Sequence, residues 1–73
     1  LASETVEAPL TGTIIDVKVS VGSNVSEREL MFLIESMKME NPVFAPVSGT
    51  VKEVRVSPGQ RVKNREVLAI IEY

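Results

Sequence analysis

One segment of this chain is written twice. Ala8-Pro9-Leu10-Thr11-Gly12-Thr13 returns as Ala45-Pro46-Val47-Ser48-Gly49-Thr50, and Val17-Lys18-Val19-Ser20-Val21-Gly22 returns as Val54-Arg55-Val56-Ser57-Pro58-Gly59. Arg28-Glu29-Leu30 recurs as Arg65-Glu66-Val67, and Ile34-Glu35 as Ile71-Glu72. The offset is constant at about 37 residues, without gaps, and nearly half of the paired positions are identical. Two copies are too few for a solenoid, which needs roughly three or more. A chain of 73 residues holds one small domain, not two. The repeats, about 8–35 and 45–72, are therefore halves of a single domain spanning 1–73. Neither half can bury its apolar face alone, so they must close on each other.

Each half reads as β. Valine and isoleucine dominate, aromatics are scarce, and no stretch keeps a helical 3.6-residue period. Val17 and Val19 alternate with Asp16 and Lys18, and Val54 and Val56 with Glu53 and Arg55. Ile14 and Val51 fall three positions before Val17 and Val54, off the two-residue period, which predicts a bulge just after each Gly-Thr. Gly12, Gly22, Gly49 and Gly59 are expected to mark turns. Leu30–Ile34 and Val67–Ile71 read as continuous apolar strands, and Val43 and Phe44 as core. The expected fold is all-β: a flattened barrel or sandwich of two antiparallel sheets related by a pseudo-twofold axis, a barrel-sandwich hybrid.

Composition removes several function classes. With no cysteine and no histidine, the chain lacks thiolate metal sites, a cysteine nucleophile, and the commonest general base. The formal net charge of −2, with both signs interspersed, is not the basic face of a nucleic-acid binder. No apolar run is long enough to insert in a membrane. The chain starts Leu1-Ala2-Ser3, without a signal-like segment or an initiator methionine, so excision from a longer polypeptide is expected. The absence of cysteine is compatible with the expected cytoplasmic setting, an organelle matrix being the alternative if the parent chain carries a transit peptide.

Between the two copies lies Ile34-Glu35-Ser36-Met37-Lys38-Met39-Glu40-Asn41-Pro42. The strand ending at Glu35 must hand over to one starting at Met39, which forces a tight hairpin through Ser36-Met37-Lys38. Such hairpins favour Asn-Gly or Asp-Gly, because the central residues take positive φ. Met37-Lys38 offers neither, and a broken local rule points to a functional site. Shifting Lys38 by the repeat offset leads just beyond Tyr73, or back to Leu1. The chain ends therefore occupy the symmetry mate of this hairpin, and Lys38 is expected at the opposite pole. A lysine in a turn is ordinary, and methionines ordinarily fill cores. Yet both neighbours of a turn lysine cannot easily be buried, and two exposed methionines there form a small apolar recognition patch. Arg28-Glu29 and Arg65-Glu66 are better explained as a shared turn motif than as a site, and Asp16, Glu53 and Glu72 as solvated strand faces.

Glu35-Ser36-Met37-Lys38-Met39-Glu40 resembles the biotin-attachment signature of biotin carboxyl carrier domains, within the biotin/lipoyl attachment family. The pattern of Gly12, Val17, Gly22, Val25, Leu30 and Glu35 resembles the same family, over about residues 6–73. The resemblance implies covalent biotin on Lys38, with Met37 and Met39 read by a biotin protein ligase and Glu35 acting in recognition or orientation. Ser36 stands where most members carry alanine. The gapless repeat leaves no room for the protruding thumb of some bacterial acetyl-CoA carboxylase carriers. Met39-Glu40-Asn41-Pro42 looks more like carriers of acyl-CoA or pyruvate-type carboxylases and of decarboxylases.

A biotinyl domain catalyses nothing itself. The resemblance implies that it shuttles CO2 on biotin between a biotin carboxylase and a carboxyltransferase or decarboxylase subunit, for an acyl-CoA or 2-oxo-acid acceptor. A flexible linker would let it travel between sites. Two other readings compete. A lipoyl domain of a 2-oxo-acid dehydrogenase complex shares the fold and the hairpin lysine, but its lysine usually follows aspartate and precedes alanine. An unmodified structural or adaptor barrel, as in membrane-fusion proteins, has no need of Met37-Lys38-Met39.

Overall fold

The computed structural model describes Leu1–Tyr73. Eight strands follow one another: β1 (Ser3–Glu7), β2 (Gly12–Val17), β3 (Asn24–Val25), β4 (Leu30–Ser36), β5 (Met39–Phe44), β6 (Gly49–Val54), β7 (Arg61–Val62) and β8 (Val67–Glu72). They form two four-stranded antiparallel sheets, ordered β1-β8-β6-β3 and β5-β4-β2-β7. The expected two-sheet all-β architecture is present, with a topology that the repeat alone did not specify. The sheets do not correspond to the halves. With β1 and β5 added in front of the two repeats, β1 to β4 make the first half and β5 to β8 the second, so each sheet takes two strands from each. The halves are interleaved rather than stacked.

Backbone hydrogen bonds show the pseudo-twofold relation directly. Gly22 N donates to Val51 O (2.8 Å) and Val51 N to Ser23 O (2.9 Å); their mates are Gly59 N to Ile14 O (2.7 Å) and Ile14 N to Gln60 O (2.8 Å). Arg28 N donates to Ala45 O (2.8 Å), and Arg65 N to Ala8 O (2.7 Å). All of these cross from one half to the other. The turns preceding β4 and β8 match as well. Glu29 Oε1 accepts from Ser26 N (2.9 Å) and Glu66 Oε1 from Lys63 N (3.0 Å), while Arg28 and Arg65 take φ of 74° and 72°. The repeated Arg-Glu pairs are thus turn builders.

The predicted bulges lie where the broken alternation put them. The register of β2 on β4 shifts between Ile14 and Asp16, and that of β6 on β8 between Val51 and Glu53. A second pair was not foreseen. Met31 is skipped in the β4–β5 ladder and Leu68 in the β1–β8 ladder. An extra residue resets the two-residue alternation. Met31 with Phe32, and Leu68 with Ala69, therefore all face inward although adjacent in sequence, each fully buried. This explains the continuous apolar runs. Together with Ile14, Ile34, Val51, Val62 and Ile71 they centre a core of 15 apolar residues, and no charged or polar side chain is buried.

Two expectations need correction. Phe44 is half exposed, because alternation along β5 turns Val43 into the core and Phe44 onto the outer face. Gly22 and Gly59 do mark turns, with φ of 94° and 90°, but Gly12 and Gly49 open strands instead. A Cβ on Gly49 would lie 2.5 Å from Glu72 O and 2.7 Å from Ile71 Cγ2, and one on Gly12 would meet Glu35 O and Ile34 Cγ2 in the same way. Close backbone approach requires these glycines, not turn chemistry.

Short ion pairs decorate the surface. Lys18 Nζ lies 2.8 Å from Asp16 Oδ2, and its hydrogen bond holds the Asp16 carboxyl below the usual carboxylate range. A depressed folded-state pKa favours folding above the unfolded value and loses that contribution as pH falls through the folded one. Both side chains are exposed, so the effect is screened and small.

Gly49→Ala should cost about 1–3 kcal/mol through overpacking against backbone. Urea unfolding should show a lower midpoint at unchanged slope; an unchanged midpoint would mean that the β6–β8 approach is softer than described.

Candidate functional site

The β4–β5 hairpin is the longest ladder at the molecule's end. Its last pairs are Ile34 with Asn41, Glu35 with Glu40 and Ser36 with Met39. Ser36 thus belongs to the strand, and the loop is two residues, Met37 and Lys38, with φ of 54° and 63°. Positive φ at both central positions makes a type I′ turn, whose twist matches that of paired strands. Neither residue is suited to it; a left-handed conformation costs an L-residue roughly 1–2 kcal/mol. The strain persists because the surrounding ladder over-determines it. β4 is an inner strand, held by β5 on one side and β2 on the other.

Two residues not identified as functional from sequence support the tip. Asn41 Nδ2 donates to Met39 O (3.1 Å) and reaches Ile34 O (3.3 Å), tying the turn exit to the opposite strand. Its sequence signal was an Asn two positions after Met39, a local side-chain-to-backbone pattern. Gly12 lets β2 press against the Glu35 carbonyl, immediately below the turn. Only the absence of a Cβ permits this, and sequence cannot distinguish such a glycine from a turn glycine.

At the tip Met37 is 92% exposed and Met39 66%, whereas the third methionine, Met31, is fully buried. Lys38 is exposed and makes no salt bridge or side-chain hydrogen bond. Lys18 and Lys52, by contrast, pair with Asp16 and Glu72. Lys63 is also exposed and unpaired, but it sits in the turn before β8 with no methionine nearby in sequence. Glu35 and Glu40 face each other across the ladder, both exposed and without cationic partners. The structure therefore brings Glu35, Met37, Lys38 and Met39 to one pole. A primary amine without an intramolecular partner, at the end of a stiff ladder, is open to acylation by an external enzyme. That chemistry fits a group held through an amide.

The tip lies far from the chain ends. Ala2 N and Tyr73 O bond at 2.7 Å, and Tyr73 N and Ala2 O at 2.9 Å, so the termini pair where a symmetry-related turn would close. The turn Ser26–Glu29 joins Val25, beside Gly49 at the terminal end of the first sheet, to Leu30 at the foot of β4. From there β4 runs seven residues, about 23 Å, to the tip. The molecule measures 37 × 17 × 16 Å. A shallow groove of about 260 Å³ lies elsewhere, between edge strands β1 and β5, floored by Val6 and Val43; Lys38 is not part of it. The connections Lys18–Ser23 and Arg55–Gln60 are of equal length, so neither half carries an inserted element.

Similarity to known proteins agrees with this geometry. A family model described as Biotin-requiring enzyme matches residues 4–71. The biotin carboxyl carrier protein of Streptococcus mutans is 48% identical over 42 residues, covering 58% of this chain and 32% of that protein. Methylmalonyl-CoA decarboxylase subunit gamma of Veillonella parvula is 44% identical over 41 residues, covering 56% of this chain and 32% of that protein. The chain matches about a third of the length of these curated relatives. Among solved structures, Kluyveromyces lactis urea carboxylase superposes on 97% of this chain with a TM-score of 0.90 at 28% identity, over 6% of its own length.

Asn41→Ala should destabilise the hairpin by about 1 kcal/mol and speed hydrogen exchange at Met39 and Glu40, leaving β6 and β8 protected. Met37→Gly should do the opposite, raising the melting temperature by about 4–8 °C for each kcal/mol of relieved strain.

A family match from residue 4 to residue 71, in a fold shared with a carboxylase, identifies the chain as a biotinyl domain that belongs to the biotin/lipoyl family of biotin-requiring enzymes.

Proposed function

We propose that this chain is the biotin carboxyl carrier of a biotin-dependent carboxylase or decarboxylase, and that Lys38 Nζ is the point of attachment. The observation that carries the reading is the tip itself: a free amine on a left-handed turn, bracketed by two exposed methionines. Bound there, biotin supplies a ureido nitrogen that takes up and gives up CO2. The residues of this chain do the rest. Lys38 forms the amide and loses its positive charge, so the formal net charge goes from −2 to −3. Met37 and Met39 give a biotin protein ligase an apolar patch on both sides of the amine. Glu35 and Glu40 leave an unpaired acidic pair below the turn for basic groups of a partner. β4 and β5 hold the amine away from the barrel, so the arm projects into a partner site without the barrel entering it.

The partners of this reading are a biotin protein ligase, a biotin carboxylase, and a carboxyltransferase or decarboxylase subunit. Tethering raises the local concentration of the loaded arm at each to roughly millimolar. The carboxylase and decarboxylase names of the relatives support this class of partner. An acyl-CoA acceptor agrees with the methylmalonyl-CoA relative, and a 2-oxo acid stays within the same chemistry. The same fold in a protein named urea carboxylase supports the reading that acceptor choice resides in the partner rather than in the carrier.

Biotinylated chain, mixed with a biotin carboxylase, ATP and labelled bicarbonate, should acquire acid-labile carbon, and Lys38→Arg should acquire none. Labelling of Lys38→Arg equal to that of the unaltered chain would sink the assignment. Met37→Asp combined with Met39→Ala should move acceptance from biotin ligase toward lipoate ligase; unchanged biotinylation would mean that the methionines are not the discriminator.

A further inference from the structure

Two methionines stand bare at the tip and a third is sealed in the core, in a chain that has no cysteine, histidine or tryptophan. The thioethers are therefore its most readily oxidised groups by two-electron chemistry, with no thiol to intercept the oxidant. Exposure divides them sharply, at 92% and 66% for Met37 and Met39 against 0% for Met31. Neither tip methionine contributes to the 15-residue core, so changing their polarity leaves the barrel intact.

We propose that Met37 and Met39 are an oxidation-sensitive control on loading: a peroxide converts them to sulfoxides, and the oxidised tip is refused by the ligase that modifies Lys38. This rests on the carrier reading above. The thioether sulfur attacks one oxygen of hydrogen peroxide. A sulfur–oxygen bond forms, the oxygen–oxygen bond breaks, sulfur gives up two electrons, and the departing hydroxide takes the proton of the oxygen now on sulfur and leaves as water. Each event adds one oxygen and turns a flexible apolar side chain into a polar, chiral one. The apolar patch flanking the amine is thereby erased, while the backbone of the turn and the amine remain. Because methionine sulfoxide is reducible, the change is reversible.

The test treats the unmodified full chain with hydrogen peroxide, removes the oxidant, maps the added oxygen by peptide mass, and then measures biotinylation with biotin, ATP and a biotin protein ligase. Oxygen should be found on Met37 and Met39 and not on Met31, with an unchanged unfolding midpoint. The initial rate should fall by more than about tenfold and return after treatment with both methionine sulfoxide reductases, one per epimer. For Met37→Leu with Met39→Leu, the ratio of treated to untreated rates should stay near one, whatever its untreated rate. Full oxidation of Met37 and Met39 without loss of rate would overturn the proposal, as would a loss that the reductases do not restore or that persists in the double variant. An untreated chain that takes no biotin would instead bring down the carrier reading itself, and this inference with it.

Discussion

Everything in this molecule depends on the exchange of backbone hydrogen bonds between its two halves. Gly22, Ser23 and Val51 on one side, and Gly59, Gln60 and Ile14 on the other, stitch the loops of each half to the strands of its mate. Through these bonds β3 joins the sheet of β6 and β8, and β7 joins the sheet of β2 and β4. Neither half has a complete sheet without the other. A chain of this length could not hold two separate cores, since even a whole small domain buries only about 60% of its unfolded surface. Interleaving lets both halves contribute to one core of 15 apolar side chains with no buried polar group. The expected consequence is a single cooperative unit.

That scaffold makes a strained tip possible. Two consecutive left-handed residues without glycine are costly, and an isolated hairpin of this sequence would relax into another turn. Here β4 is pinned on both edges, Gly12 allows β2 to press on the Glu35 carbonyl, and Asn41 bonds back across the ladder. The same symmetry leaves the mating position open, where Ala2 and Tyr73 pair without a connecting turn. One pole thus presents the lysine and the other receives the chain ends. In the proposed carrier role this polarity sets Lys38 at the far pole of a rigid body from Ala2 and Tyr73.

Much of this was legible in sequence because the repeat compares each residue with a second copy of itself. The bulges after Gly12-Thr13 and Gly49-Thr50 could be read from Ile14 and Val51 falling off the alternation, and the Arg-Glu turns from their recurrence. Other features had no local signal. Interleaving depends on where the loops before β3 and β7 dock, which periodicity does not encode. Gly12 and Gly49 look like turn glycines until the opposing carbonyl is placed above them. Phe44 reads as core by hydropathy, but alternation with buried Val43 puts it on the outer face of edge strand β5. At the tip, the poor turn chemistry of Met37-Lys38 was visible as an anomaly; of the Asn41 bonds that help to sustain it, the one to Met39 O had a local pattern and the one across to Ile34 O had none.

The central claim is that geometry singles out one lysine of four. A proteolytic peptide map of the chain after incubation with biotin, ATP and a biotin protein ligase tests it most directly, because Lys63 is an exposed, unpaired control on the same molecule. A single biotinyl group on Lys38, with Lys18, Lys52 and Lys63 unmodified, is the predicted result. Label on Lys63, label spread over several lysines, or none on Lys38 would contradict it.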